Sequence, residues 1–356
     1  MKIALLGLYE SGKSTLFSAV SGDELTPPGS THIEEAVVSV PDERVEWLAD
    51  YYKPKKVTYA TIDCLDLPGF NFTDEHGRAA ARRLINKIRT VDLLVFVVRA
   101  FENPAAPSYK GRIDPVKDFE ELETELLLSD LELVTTRIEN LEKQIQKPTR
   151  TQTNDKQELD LYKKLQDAIE NEKPVSSVIN TEAEIETVKS LGFLTLKPVV
   201  VAVNIGENQI GETQDFKPGF KEGSDIISLS VELEYELAQL DEQSRKEFMA
   251  DLGISEAARG KFVHSCYSAL GLISFLTVVS DELRAWPIRQ GTTALDAAGK
   301  IHTDIKRGFI RAETMSFEDL KSFGDEKAVK AAGKVRLEGK DYVVQDGDII
   351  NFRFNV

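Results

Sequence analysis

Apolar residues are grouped along this chain in distinct rhythms, and each change of rhythm marks a change of architecture. Ile3–Leu6, Leu93–Val98 and Leu196–Val203 are short, nearly uninterrupted apolar runs, the pattern of strands buried on both faces of a parallel sheet. Ala36–Val40 and Thr58–Leu65 also read as strands, the second running into Asp66-Leu67-Pro68-Gly69. Pro41-Asp42-Glu43-Arg44 opens a helix with proline and acids in its first turn, and Arg78–Lys87 reads as a helix rich in alanine and arginine. From Asp118 the period becomes helical. Leu127, Leu131, Val134, Ile138, Leu141 and Ile145 advance by alternating steps of four and three, which is an a/d seam. Lys147–Asp155 is polar with one proline and reads as a turn, after which Tyr162, Leu165 and Ile169 mark one face of a second helix. Near the C-terminus, Lys306–Glu313 and Asp341–Asn355 alternate apolar and polar residues, Phe317–Ala332 contains helical segments, and Gln345-Asp346-Gly347-Asp348 supplies turn chemistry.

These elements predict an α/β protein with a mostly parallel sheet and helices on both faces, interrupted by a helical hairpin. The expected sections are 1–117 and 196–285 for a split nucleotide-binding domain, 118–195 for the helical insertion, and 286–356 for a small sheet packed on a helix. A chain of 356 residues is long enough for such a division. Charge sharpens it. The formal net charge is −16, yet Trp286–Val356 holds 12 Lys/Arg against 11 Asp/Glu, so Met1–Ala285 carries −17. A coat for nonspecific nucleic-acid binding is excluded, and no DNA-specific partner is expected. The last segment, with Arg307, Arg311, Lys334, Arg336 and Lys340, has either an RNA-facing patch or scattered solvated charges. Two cysteines, Cys64 and Cys266, make no disulfide framework and suit a reducing cytoplasm. Met1-Lys2 leads straight into the first strand, and the longest apolar run is far short of a membrane span, so no membrane partner is expected.

The strongest chemistry lies at Gly7–Ser14. Two glycines five apart, followed by Lys13 and Ser14, complete the phosphate-loop pattern between a strand and a helix. Gly7 and Gly12 allow the backbone of Glu10, Ser11 and Thr15 to wrap a phosphate chain at a helix N-terminus. Lys13 supplies a point charge to the β/γ oxygens, and the Ser14 hydroxyl ligates Mg²⁺. Within the loop Ser21–Thr31, Ser30 or Thr31 is placed to offer a further Mg²⁺-contacting hydroxyl, a solvated loop hydroxyl being the other reading. Asp66, at the end of a strand and three residues before Gly69, is placed to hold the magnesium water shell, while Gly69 senses the terminal phosphate. After Gly69, where many GTPases place a water-orienting Gln, this chain has Phe70. His76 is a candidate substitute, or a solvated loop histidine.

At the base end, Asn204-Ile205-Gly206-Glu207 stands where GTPases have Asn-Lys-x-Asp. Glu207 is one methylene longer than the aspartate that pairs with guanine, and Ile205 replaces the lysine, so ATP is preferred to GTP. Ser228 and Leu229, at the end of an apolar strand, are placed to close over the base.

Together these motifs make the chain resemble the YchF/Obg-like ATPases, a branch of the phosphate-loop GTPases. The likeness covers Gly7–Phe17, Pro41-Asp42, Lys53–Ile62, Leu194–Pro198, Asn204–Glu207 and Glu234–Asp251. It is densest at Arg284-Ala285-Trp286 through Gly291-Thr292-Thr293, Ile301-His302-Thr303-Asp304, Gly308–Glu313 and Leu337–Val356. The resemblance implies a coiled-coil insertion, a C-terminal TGS domain of β-grasp type, ATP in preference to GTP, a hydrophobic residue at the position of Phe70, and association with ribosomes or RNA. A slow MgATP-hydrolysing switch is therefore expected, GTP being a further reading. Phe70, Ser108 and the acidic switch after Gly69 leave open a nucleotide-gated or nucleotide-independent ribosome/RNA-binding adaptor whose hydrolysis has decayed. Three departures stand out. Glu10-Ser11 replaces the family's Asn-Val. The switch after Gly69 is Asn71–Gly77, acidic rather than rich in glycine and lysine. The loop Arg99–Pro115 has Ser108 where the family carries a histidine proposed to act in hydrolysis.

Overall fold

The computed structural model describes all residues except 26–29, 147–151, 172, 174, 211–215, 217–218, 221–223, 253, 255–256, 280 and 356. Part of the expected loop Ser21–Thr31 and most of the expected turn Lys147–Asp155 therefore lie outside the described residues. Two compact units form, one from Met1–Glu35 and Leu65–Leu240, the other from Ala36–Cys64 and Asp241–Val356.

In the first unit, β1 (Lys2–Leu6), β5 (Leu93–Arg99), β6 (Val199–Asn204) and β7 (Asp225–Leu229) lie side by side and parallel, with Ile3 opposite Leu93, Leu94 opposite Val199 and Val200 opposite Asp225. The division of the chain falls within β2 (Glu34–Ser39) and β4 (Thr61–Asp66), which complete the order β2-β4-β1-β5-β6-β7. Every residue of β5 is buried, as its unbroken apolar run requires of a strand covered on both faces. Helices α1 (Lys13–Ser21), α3 (Glu75–Lys87) and α7 (Val231–Gln239) follow β1, β4 and β7. Beneath α3, a core joins Leu6, Phe70, Phe72, Ile85, Phe96 and Phe119.

The long helix α4 (Pro115–Ile145) is opened by Asp114, whose carboxylate accepts the Lys117 amide, and by Pro115 in the first turn. Its seam residues Val134, Ile138 and Leu141 share a buried cluster with Tyr162, Leu165 and Ile169 of α5 (Gln152–Glu170), and α6 (Glu182–Lys189) adds Val188. Three ion pairs join α3 and its short 3-10 extension to α4: Arg78–Glu125 at 3.0 Å, Arg82–Glu132 at 3.3 Å and Arg89–Asp130 at 2.6 Å. Asp130 is fully buried and also accepts the amides of Leu194 and Thr195, so its charge is compensated on every side.

The second unit holds α2 (Glu43–Tyr52), β3 (Lys56–Thr58), α8 (Glu242–Asp251) and α9 (Ala258–Ala269), then β8 (Leu272–Val279) and β9 (Glu282–Arg289). It continues with α10 (Ala294–Ile301), α11 (Thr303–Arg307), β10 (Phe309–Ser316), α12 (Phe317–Phe323), α13 (Glu326–Ala331), β11 (Arg336–Glu338) and β12 (Asp348–Phe354). Its sheet order is β11-β10-β12-β8-β9-β3, with β12 parallel to β8, β3 parallel to β9, and the other described pairs antiparallel. One face is packed by Ala294, Ala297 and Ala298 of α10 against Phe275, Ile288, Ala312, Ile350 and Phe352, a β-grasp arrangement in which small residues let helix and sheet approach.

Two boundaries differ from the sequence reading. Thr58–Leu65 is not one strand: β3 pairs with β9, and a break at Tyr59-Ala60 precedes β4. Trp286 does not open a domain, because it lies inside β9 opposite Phe275 of β8. Segment 36–64 also joins the second unit. There Arg44 donates to Asp346 at 2.8 Å, and Trp47 meets Phe317 edge-on at 5.5 Å. None of these long-range partners has a local sequence signal.

Candidate nucleotide-binding site

β1 ends in a loop whose backbone is forced into unusual angles. Glu10 and Gly12 have φ of 61° and 90°, in the left-handed region. Gly12 caps α1 without any side-chain bond, leaving the first amides of that helix without a side-chain acceptor. A Cβ on Gly12 would lie 2.2 Å from Asn204 Nδ2, and one on Gly7 would lie 2.4 Å from Ser11 Oγ and 2.7 Å from the Val97 carbonyl. Both glycines are therefore required by close approach. The loop is tied down from two sides. Phe70 donates its amide to the Gly7 carbonyl at 2.9 Å and accepts the Tyr9 amide at 3.0 Å, while Asn204 Nδ2 donates to the Ser11 carbonyl at 3.0 Å.

Lys13 and Asp66 meet inside this frame. Lys13 Nζ donates to Asp66 Oδ1 at 2.7 Å, and both side chains are only 5% exposed. The same ammonium donates to Ser14 Oγ at 3.4 Å. A hydroxyl and a carboxylate thus converge on one cation, and both are the oxygen donors that Mg²⁺ takes, so the residues present fit that ion. Among the described residues, no cluster of three or more His, Cys, Asp or Glu is arranged for another metal. Ser11 Oγ is buried without a hydrogen-bond partner, a polar group left over beside the loop.

A cavity of about 730 Å³ opens here, lined by Tyr9–Thr15, Thr31, Asp66, Gly69 and Asn71 among others. Ser30, the other candidate hydroxyl, also lines it, as do His32, Arg83 and Lys87. The last three were missed in the sequence. His32 adjoins Thr31, and Arg83 and Lys87 are one helical turn apart, but nothing local says that α3 faces the loop. Glu10 holds the Tyr9 phenol above its ordinary range by its negative charge and by a hydrogen bond.

Several expected residues stand elsewhere. His76, in the exposed first turn of α3, does not line the cavity. Phe70 is 1% exposed and packs near Phe72 with ring centroids 5.8 Å apart, so its ring serves the core. Ser108 precedes a short 3-10 turn, makes no side-chain cap bond to it, and does not line the cavity. The preceding loop is gathered by buried Arg99, which donates to the carbonyls of Phe101 and Ala106 at 3.0 Å. Burial lowers the Arg99 pKa from its ordinary value. At the base end, the Asn204 amide is committed at both ends, donating to Ser11 and accepting the Val231 amide at 3.1 Å. It therefore positions two loops, where the sequence suggested a base contact. Ile205 packs against the core, Glu207 is exposed at the start of a 3-10 turn, Ser228 is exposed, and Leu229 is buried. None of these five lines the cavity.

A phosphate loop at the C-terminal edge of a parallel sheet, with a buried lysine on an aspartate at the end of another strand, defines a phosphate-loop nucleotide-binding protein. Comparison with known proteins agrees. Residues 2–181 match the family model described as 50S ribosome-binding GTPase, and residues 272–355 match the C-terminal YchF-GTPase model, described as a protein of unknown function (DUF933). The chain is 36% identical to the ribosome-binding ATPase YchF of Bacillus subtilis, over 99% of this chain and 98% of that one. It is 39% identical to Obg-like ATPase 1 of Oryza sativa subsp. japonica, over 100% of this chain and 92% of that one. The solved Schizosaccharomyces pombe YchF GTPase superposes with a TM-score of 0.82 at 31% identity, covering 99% of this chain and 97% of that one. The chain belongs to the YchF/Obg-like ATPase family.

Proposed function

We propose that this protein binds MgATP at Gly7–Thr15, hydrolyses it slowly, and associates with the ribosome according to nucleotide state. The observation that carries the reading is the Lys13–Asp66 pair at 2.7 Å, set beside Ser14, Gly69 and Thr31 in one cavity. On binding, Lys13 leaves Asp66 for the β/γ oxygens. Ser14, Thr31 and, through water, Asp66 would hold Mg²⁺, which would neutralise charge on those oxygens. Gly69, whose neighbour Phe70 is bonded to the phosphate loop, carries the presence of the terminal phosphate into α3. Slow turnover follows from the burial of Phe70 and from the absence of His76 and Ser108 in the cavity lining. The same observations favour a second reading, in which the protein is a nucleotide-gated adaptor without hydrolysis.

ATP is preferred because Glu207, one methylene longer than the guanine-pairing aspartate, stands exposed beyond the committed Asn204 amide. Ribosome association is carried over from relatives named ribosome-binding ATPases, and a cytoplasmic setting from the lack of a disulfide framework. Among the described residues no helix is long and apolar enough to cross a membrane. Co-sedimentation with purified ribosomes in MgATP and in MgADP, with phosphate release followed in parallel, tests the reading. A nucleotide-dependent difference with slow release that Asp66→Ala abolishes supports the switch. Ribosome binding with no measurable release supports the adaptor, and no co-sedimentation in any nucleotide state overturns both.

A further inference from the structure

Helix α3 and its short 3-10 extension carry five Lys/Arg cations that fall into two classes. Arg78, Arg82 and the adjoining Arg89 each meet a carboxylate on α4. Arg83 and Lys87 meet none among the described residues, although the chain carries a net charge of −16. They are an i, i+4 pair, so they occupy one face of the helix. That face, with Ala80, Ala81 and Leu84, lines the cavity that holds the phosphate loop. Small residues at 80 and 81 leave room there. The residues proposed for the base, Asn204, Ile205, Glu207, Ser228 and Leu229, line no part of it, whereas Arg83 and Lys87 line it together with the phosphate loop.

We infer that Arg83 and Lys87 form an anion subsite beyond the terminal phosphate position, taking a further phosphoryl group of a nucleoside polyphosphate longer than a triphosphate. Two cations that line a cavity with no ion-pair partner among the described residues, in an acidic protein, favour a multiply charged ligand, and a guanidinium with an ammonium matches phosphate oxygens. The inference rests on the nucleotide reading of this cavity, and the experiment separates the two.

Magnesium complexes of ADP, ATP and adenosine 5′-tetraphosphate are titrated calorimetrically into the full chain, into Arg83→Gln/Lys87→Gln, and into Arg82→Gln. Arg82 lies one residue away but pairs with Glu132, so its substitution removes charge without touching the subsite. The tetraphosphate is expected to bind roughly tenfold tighter than ATP, as charge-assisted bonds allow. The double variant should lose that gain while its ADP affinity stays within twofold, and Arg82→Gln should keep it. Equal affinity for ATP and tetraphosphate in the unaltered protein overturns the subsite, as does a gain that survives the double substitution. If no nucleotide binds, the nucleotide reading fails, and titration with inorganic tripolyphosphate decides the subsite. Binding that depends on Arg83 and Lys87 then upholds it, and absent or independent binding overturns it.

Discussion

The two ends of the candidate site are built on opposite terms. At the phosphate end, backbone and buried charge are locked: Gly12 lies against Asn204, and Lys13 against Asp66, while Ser11 Oγ is buried without a partner. At the base end, Glu207 and Ser228 stand exposed, and Asn204 is used up in holding the loop. The difference teaches that recognition of a phosphate chain is a property of the fold here. The residues proposed for the base line no part of the cavity, and two of them, Glu207 and Ser228, stand exposed.

The comparison breaks most sharply at Lys13. Lys13→Ala leaves Asp66 buried and unpaired, so stability should fall by about 3–5 kcal/mol, read by denaturant titration, and MgATP binding should disappear. The double substitution Lys13→Met/Asp66→Asn should recover most of the stability and none of the binding. If it also restores binding, the pair is structural only.

Gly12→Ala should cost more than Gly22→Ala, although both glycines are left-handed, with φ of 90° and 79°. Gly22 has nothing within 4 Å of a new Cβ, so only conformational strain of about 1–2 kcal/mol applies there. At Gly12 the Asn204 amide must also move, and nucleotide affinity should fall at least tenfold. Equal thermal shifts and unchanged affinity would contradict the locked phosphate end.

Asn204→Ala removes a tie between the loop and Val231 and should cost about 1–3 kcal/mol. It should weaken ATP and GTP by the same factor, because the amide touches backbone. A change in the ATP/GTP ratio beyond threefold would return Asn204 to base reading.

A smaller effect distinguishes the hairpin base. Burial pushes the Asp118 carboxyl up to about 6, against the opposing pull of Arg112 at 3.0 Å. A raised carboxylate pKa means that the folded state holds its proton longer than the unfolded state. Its contribution is therefore fully present at low pH and is lost as pH rises from about 4 to 6. Relative to Asp118→Asn, the unaltered protein should lose stability across that window, as read by urea midpoints. A flat difference would show that Arg112 fully compensates the charge.

Much of this was legible in the sequence because it is local. Gly7, Gly12, Lys13 and Ser14 are consecutive in a fixed pattern, and the a/d seam of α4 announces its own partner face. Asp66 was legible because a strand and a following glycine frame it. What stayed hidden depends on where distant segments land. The side of α3 that meets the loop decides that Arg83 and Lys87 line the cavity and His76 does not. The commitment of Asn204 depends on Ser11 and Val231, which are 193 and 27 residues away. The allegiance of segment 36–64 depends on Asp346 and Phe317, which no periodicity near α2 foretells.

The central claim, a phosphate end that fixes nucleotide binding and a base end that no longer specifies guanine, is tested most directly by one competition titration. ATP and GTP are titrated against a common fluorescent adenine nucleotide, with Mg²⁺ and then with excess chelator. The account predicts Mg²⁺-dependent binding with ATP at least tenfold tighter than GTP. GTP binding as tightly as ATP, or binding that survives chelation unchanged, would contradict it.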